Sequence, residues 1–73
     1  MASRTIKSPV TGVVWQMVAG VGDRVGGGEV VLLMEAMKME IPVEMPESGT
    51  LTEILVSESD FVEEGQEVAR YEA

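Results

Sequence analysis

The chain has 73 residues, room for one small domain with a marginal core. It contains no cysteine and no histidine, which excludes disulfide staples and cysteine-built zinc sites and removes the commonest general base and both protease triads. Its net charge of −8 argues against nucleic acid or an anionic membrane as partner, because phosphate binding needs a basic surface; composition points to a binding, carrier or structural module rather than an independent hydrolase.

In chain order, the first expected strand covers residues 5–8 and stops at Pro9. Residues 12–18, rich in Val, Trp and Met, form the second. Gly20, Gly22 and Asp23 make a turn, Arg24 and Val25 a short extended piece, and Gly26, Gly27 and Gly28 turn again. Residues 30–35 are the next strand. The second half follows the same plan, with strands at 40–45, 49–56, 61–62 and 67–71 and a turn at 57–60. Short strands with evenly spaced turn signals predict an all-β sandwich or flattened barrel.

Shifted by 37 residues, the chain aligns on itself without a gap. Pro9 falls on Pro46, Gly12 on Gly49, Asp23 on Asp60, Val25 on Val62, Gly28 on Gly65, Val31 on Val68, Glu35 on Glu72 and Ala36 on Ala73. The chain reads as one domain, 1–73, made of quasi-repeats 1–36 and 38–73. Gly12 with Gly49, and Gly28 with Gly65, are expected in matching turns. A two-fold axis then maps the junction at residues 37–38 onto the meeting of the termini, so the termini are expected together, away from that junction.

Residues 30–41, VVLLMEAMKMEI, are strong helix formers by propensity. The alternation favours a hairpin turning at Met37 and Lys38. Val30, Leu32 and Met34 then share an apolar face with Ile41, Val43 and Met45, while Val31, Leu33 and Glu35 share the other with Glu40, Pro42 and Glu44. Pro42 opposes a helix interior. This hairpin breaks two local rules. Met-Lys is a poor two-residue turn, since both central positions want φ > 0. Glu35 also lies opposite Glu40, a repelling pair. Broken local rules mark function. Met37 and Met39 are expected to be exposed, and Lys7, the only other lysine, to sit in a paired strand far from any turn.

Charge is uneven. Residues 1–37 sum to zero, and residues 38–73 carry ten acids against Lys38 and Arg70, a solvated face or an electrostatic docking surface. No apolar run resembles a signal segment or a membrane span, so the expected location is cytoplasmic.

The run Glu35-Ala36-Met37-Lys38-Met39-Glu40 resembles the attachment motif of biotin carboxyl carrier domains, whose signature is Ala-Met-Lys-Met with the lysine biotinylated. The family's lysine lies at a similar distance from the C-terminus to the 35 residues that follow Lys38 here. Ser8-Pro9-Val10-Thr11-Gly12 and Ser48-Gly49 also resemble the family's pattern. The inserted thumb of some carriers and the Ala/Pro-rich linker of many have no counterpart here, which suggests a free-standing small carrier or an excised C-terminal domain. The resemblance implies a flattened pseudo-two-fold barrel of two four-stranded antiparallel sheets with the lysine on a hairpin tip. It implies biotin as a covalent cofactor on Lys38. Ala36, Met37 and Met39 would form the attachment and recognition motif, flanked by Glu35 and Glu40. It implies no catalysis by the domain itself, and as partners a biotin protein ligase, a biotin carboxylase and a carboxyltransferase. A free lysine has a pKa near 10.4, so about one in 2,500 is neutral at pH 7; without a histidine here, the ligase must deprotonate it. Lysine and biotin tail make an arm of roughly 14 Å, and tethering replaces diffusion by an effective concentration of about millimolar or higher. Two other readings stand beside this one. A lipoyl carrier domain of a dehydrogenase complex shares the fold, although its tip usually reads Asp-Lys-Ala. An unmodified interaction module would use Met34, Met37 and Met39 only as adaptable apolar contacts.

Overall fold

The computed structural model describes residues 2–73. Their regular structure is entirely β: β1 (Ser3–Lys7), β2 (Gly12–Met17), β3 (Arg24–Val25), β4 (Val30–Ala36), β5 (Met39–Glu44), β6 (Gly49–Ile54), β7 (Phe61–Val62) and β8 (Glu67–Glu72). Two antiparallel sheets of four strands result, in the orders β1-β8-β6-β3 and β5-β4-β2-β7. The all-β sandwich expected from the turn spacing, and the two four-stranded antiparallel sheets that the resemblance implies, are observed. Residues 30–41 form strands despite their helical propensity, because each arm of the hairpin finds a ladder partner and an apolar face to bury.

The two sheets correspond strand by strand under the 37-residue shift: β5, β4, β2 and β7 map onto β1, β8, β6 and β3 in the same order. The central pair of each sheet comes from one half of the chain and both edge strands from the other. The turns correspond as well. Asp23 accepts from the Gly20 amide at 2.9 Å, and Asp60 from the Ser57 amide at 2.8 Å. Gly28 and Gly65 have φ of 87° and 85°, a conformation that needs no Cβ. Gly12 and Gly49 depart from expectation. They are not turn residues but the first residues of β2 and β6, and their role is close approach. A Cβ on Gly12 would collide with the Glu35 carbonyl, and one on Gly49 would lie 2.6 Å from the Glu72 carbonyl and 2.7 Å from the Tyr71 ring.

The core lies between the sheets. Val14, Leu32, Met34 and Val43 from one sheet, with Met45 just past the end of β5, meet Ile6, Leu51, Val68, Ala69 and Tyr71 from the other. Val31 corrects the expected alternation: it is fully buried, not on the outer face. The β4–β5 register slips between Val30 and Leu32, so Val31 is an extra residue in a bulge and its carbonyl accepts from the amides of Val18 and Ala19, both at 3.0 Å. Its counterpart Val68 bulges in the same way against β1, and Trp15 and Thr52 are a second matched pair of bulges. A bulge puts two neighbours, here Val31 and Leu32, on the same side; because residues 30–33 are all apolar, that break in alternation is invisible in the sequence, and strict alternation misplaced Val31.

Strand limits differ from expectation mainly at the first strand, which starts at Ser3 and ends at Lys7 rather than spanning 5–8. It extends toward the chain start because β8 offers partners as far as Glu72. The first and last described residues meet there, with the Ala73 amide donating to the Ala2 carbonyl at 3.3 Å. Ser8 lies past the strand, buried, its hydroxyl donating to the Val10 carbonyl at 2.6 Å. The Tyr71 hydroxyl donates to Glu47 at 2.9 Å, and Glu47 pairs with Arg4 at 3.2 Å.

Candidate functional site

The candidate site is the tip between β4 and β5. The hairpin register pairs Ala36 with Met39, Glu35 with Glu40 and Met34 with Ile41, as the alternation requires. That leaves Met37 and Lys38 as the two-residue turn, with φ of 51° and 63°. Both residues are therefore left-handed, the pattern of a type I′ turn, whose twist matches that of the flanking strands. For residues with a Cβ this conformation costs about 1–2 kcal/mol each. The ladder beneath holds them there. Glu35 and Glu40 are both exposed and face each other across it, where water screens their repulsion.

Lys38 is exposed, and among the described residues it enters no ion pair. Met37 is 94% exposed and Met39 61%, whereas Met34 and Met45 are buried at 0% and 2%. Ala36 is half-buried and touches the backbone approach at Gly12. That glycine lets β2 come close enough to brace the last residues of β4, directly beneath the turn. The tip is thus a stiff, convex projection carrying a primary amine between two exposed thioethers. Lys7 differs from expectation in one respect. It pairs with Glu67 but is the last residue of β1 and exposed, beside a bulge and the bend that follows. Its backbone is extended strand, so it lacks the projection that the turn confers on Lys38.

One feature of this surface is announced by no sequence motif. The outer face of the hairpin's sheet exposes Val13 and Phe61, paired across β2 and β7, together with Trp15 and Pro42. Their counterparts 37 residues away are Thr50, Arg24, Thr52 and Thr5. Core positions keep their apolar character across the two-fold, apart from Met45, whose counterpart is the buried Ser8, but these outer positions do not. The signal was present in the self-alignment, in the pairs that disagree rather than those that match.

A rigid β-scaffold that holds one exposed lysine on a strained turn defines a class: a post-translational attachment domain, which presents a side chain for others to modify. Residues 2–71 match the family model described as biotin-requiring enzyme, and the chain belongs to this biotin/lipoyl attachment family. It is 38% identical over 61 residues to a biotin/lipoyl attachment protein of Bacillus subtilis, covering 84% of each chain. It is 36% identical over 63 residues, 86% of this chain and 15% of the other, to a dihydrolipoyllysine-residue succinyltransferase component of the 2-oxoglutarate dehydrogenase complex of Staphylococcus saprophyticus. The crystal structure of Kluyveromyces lactis urea carboxylase superposes with a TM-score of 0.92 and 39% identity, over 99% of this chain and 6% of that one. Among the described residues no helix is long and apolar enough to cross a membrane.

Proposed function

We propose that the domain is a biotin carboxyl carrier: Lys38 bears covalent biotin and moves a carboxyl group between the sites of a biotin carboxylase and a carboxyltransferase. The observation that carries this is Lys38 at the apex of a two-residue turn, between Met37 and Met39, with both methionines exposed. The residues fit the group. A primary amine projects from a stiff base, its neighbours leave it open to an approaching enzyme, and among the described residues it forms no ion pair that a modifying enzyme must first break. Attachment forms an amide between Nζ and the biotin carboxyl carbon, with the activating group leaving and the amine's proton passing to a base on the ligase. Bound biotin would supply the nitrogen that carries the carboxyl group. The chain's own part is positional. The turn holds Lys38 away from the body, Gly12 and Ala36 fix the turn's root, and Met37 and Met39 offer soft contact to several partner surfaces in succession.

A lipoyl carrier is the second reading, supported by the staphylococcal relative. The methionines on both sides of Lys38 favour biotin, since the lipoyl tip usually reads Asp-Lys-Ala. An unmodified interaction module leaves the strain at Lys38 without a purpose. Intact mass after incubation with a biotin protein ligase, ATP and biotin tests the reading. We expect one biotinyl adduct, mapped to Lys38 and absent from Lys38→Arg. An adduct on Lys7, or lipoylation in place of biotinylation when both ligases compete, overturns it.

A further inference from the structure

Exposure separates the methionines of the described residues. Met34 and Met45 are sealed in the core at 0% and 2%, and the Met34 sulfur lies 3.8 Å from the buried Ser8 hydroxyl. Met17 is half-buried in β2. Met37 and Met39 are open to solvent at 94% and 61% and stand on either side of Lys38. A peroxide oxidises a thioether by direct contact. The sulfur lone pair attacks one peroxide oxygen, the O–O bond breaks and an S–O bond forms. Sulfur is oxidised by two electrons, and the departing hydroxide takes a proton to become water. A sulfur that peroxide cannot reach is spared.

We propose that Met37 and Met39 are a peroxide-responsive modification site, and that their conversion to sulfoxides suppresses attachment at Lys38 while leaving the fold intact. The effect on attachment rests on the function proposed above; the selectivity of oxidation does not. Each sulfoxide replaces a soft apolar group by a strongly polar acceptor. An enzyme surface that closes on the methionines must then bury that oxygen without a partner designed for it. Neither side chain contributes to the core, so the domain itself loses nothing by the change. The product is on the reversible step of methionine oxidation, and thiol-dependent methionine sulfoxide reductases restore the thioether. The tip would then report oxidant exposure through the fraction of carrier that becomes charged.

The test uses the full chain before biotinylation, treated with hydrogen peroxide. Peptide mass mapping should show oxygen added at Met37 and Met39 well before Met34 or Met45. Melting temperature should move by no more than about 2 °C. Biotinylation of the oxidised protein should slow by about tenfold or more, equivalent to about 1.4 kcal/mol, and recover after methionine sulfoxide reductase and thiol. Peroxide-treated Met37→Leu/Met39→Leu should keep the rate of its own untreated sample. Oxidation of the buried methionines as fast as the tip, or an unchanged charging rate after tip oxidation, overturns the proposal. If the untreated protein takes no biotin on Lys38, the proposed function falls and the switch with it, while the oxidation map still reports the selectivity.

Discussion

The strain in the tip gives a quantitative prediction. Met37 and Lys38 occupy the left-handed region with φ of 51° and 63°, at about 1–2 kcal/mol each relative to glycine. Replacing the pair by Asn-Gly, the residues a type I′ turn prefers, relieves most of that strain. Against this, glycine adds about 0.5–1 kcal/mol of unfolded-chain entropy. The net expectation for Met37→Asn/Lys38→Gly is a stabilisation of about 1–2 kcal/mol. In a domain of this size each kcal/mol raises the melting temperature by about 4–8 °C. Lys38→Arg keeps the conformation and should melt with the parent, which separates backbone strain from loss of the amine. Ser59, at φ 75°, provides a check away from the tip: its counterpart is Gly22 at φ 92°, so Ser59→Gly should stabilise by about 0.5–1 kcal/mol. Calorimetric melting of the four proteins measures all of this. Should the Asn-Gly variant melt at or below the parent while retaining the hairpin, the turn stores no strain and its choice of residues needs another explanation.

Gly12→Ala should destabilise by about 2 kcal/mol or more in denaturant titration, because the new methyl meets the Glu35 carbonyl and the Ala36 side chain. Met37→Leu and Met39→Leu should each change stability by less than about 1 kcal/mol, since both side chains are exposed, and should instead slow biotinylation or carboxyl transfer when those rates are measured on the same proteins. Burial, then the hydrogen bond to and charge of Glu47, raise the Tyr71 pKa above its ordinary value near 10. The folded state therefore holds that proton more tightly than the unfolded chain, a contribution complete below pH of about 10 and lost as pH rises further. Tyr71→Phe should flatten the alkaline decline in stability, read by denaturant titration across that window.

Sequence alone determined much of this protein. Period-2 alternation on both sides of Met37 and Lys38 specified the hairpin register, because a slip of one residue would turn the faces carrying Met34, Ile41 and Val43 toward water. The 37-residue self-similarity anticipated matching turns at Asp23 and Asp60, since turn chemistry is local and is written in Gly, Asp and Pro. The tip's oddities, Met-Lys in a turn and Glu35 opposite Glu40, were visible for the same reason. Tertiary structure decided the rest. Residues 30–41 prefer helix by local propensity, and only the ladders to β2 and within the β4–β5 hairpin, with burial against the second sheet, make them strands. The bulges at Val31 and Val68 depend on amides brought from elsewhere in the chain to the extra residue's carbonyl, such as those of Val18 and Ala19 at Val31, so no side-chain pattern announces them. Gly12 resembled a turn residue in sequence and proved to be a gap through which one strand approaches another. A local code records which conformations a segment tolerates, whereas contacts between segments distant in the chain settle which one it adopts and which side chains remain in water.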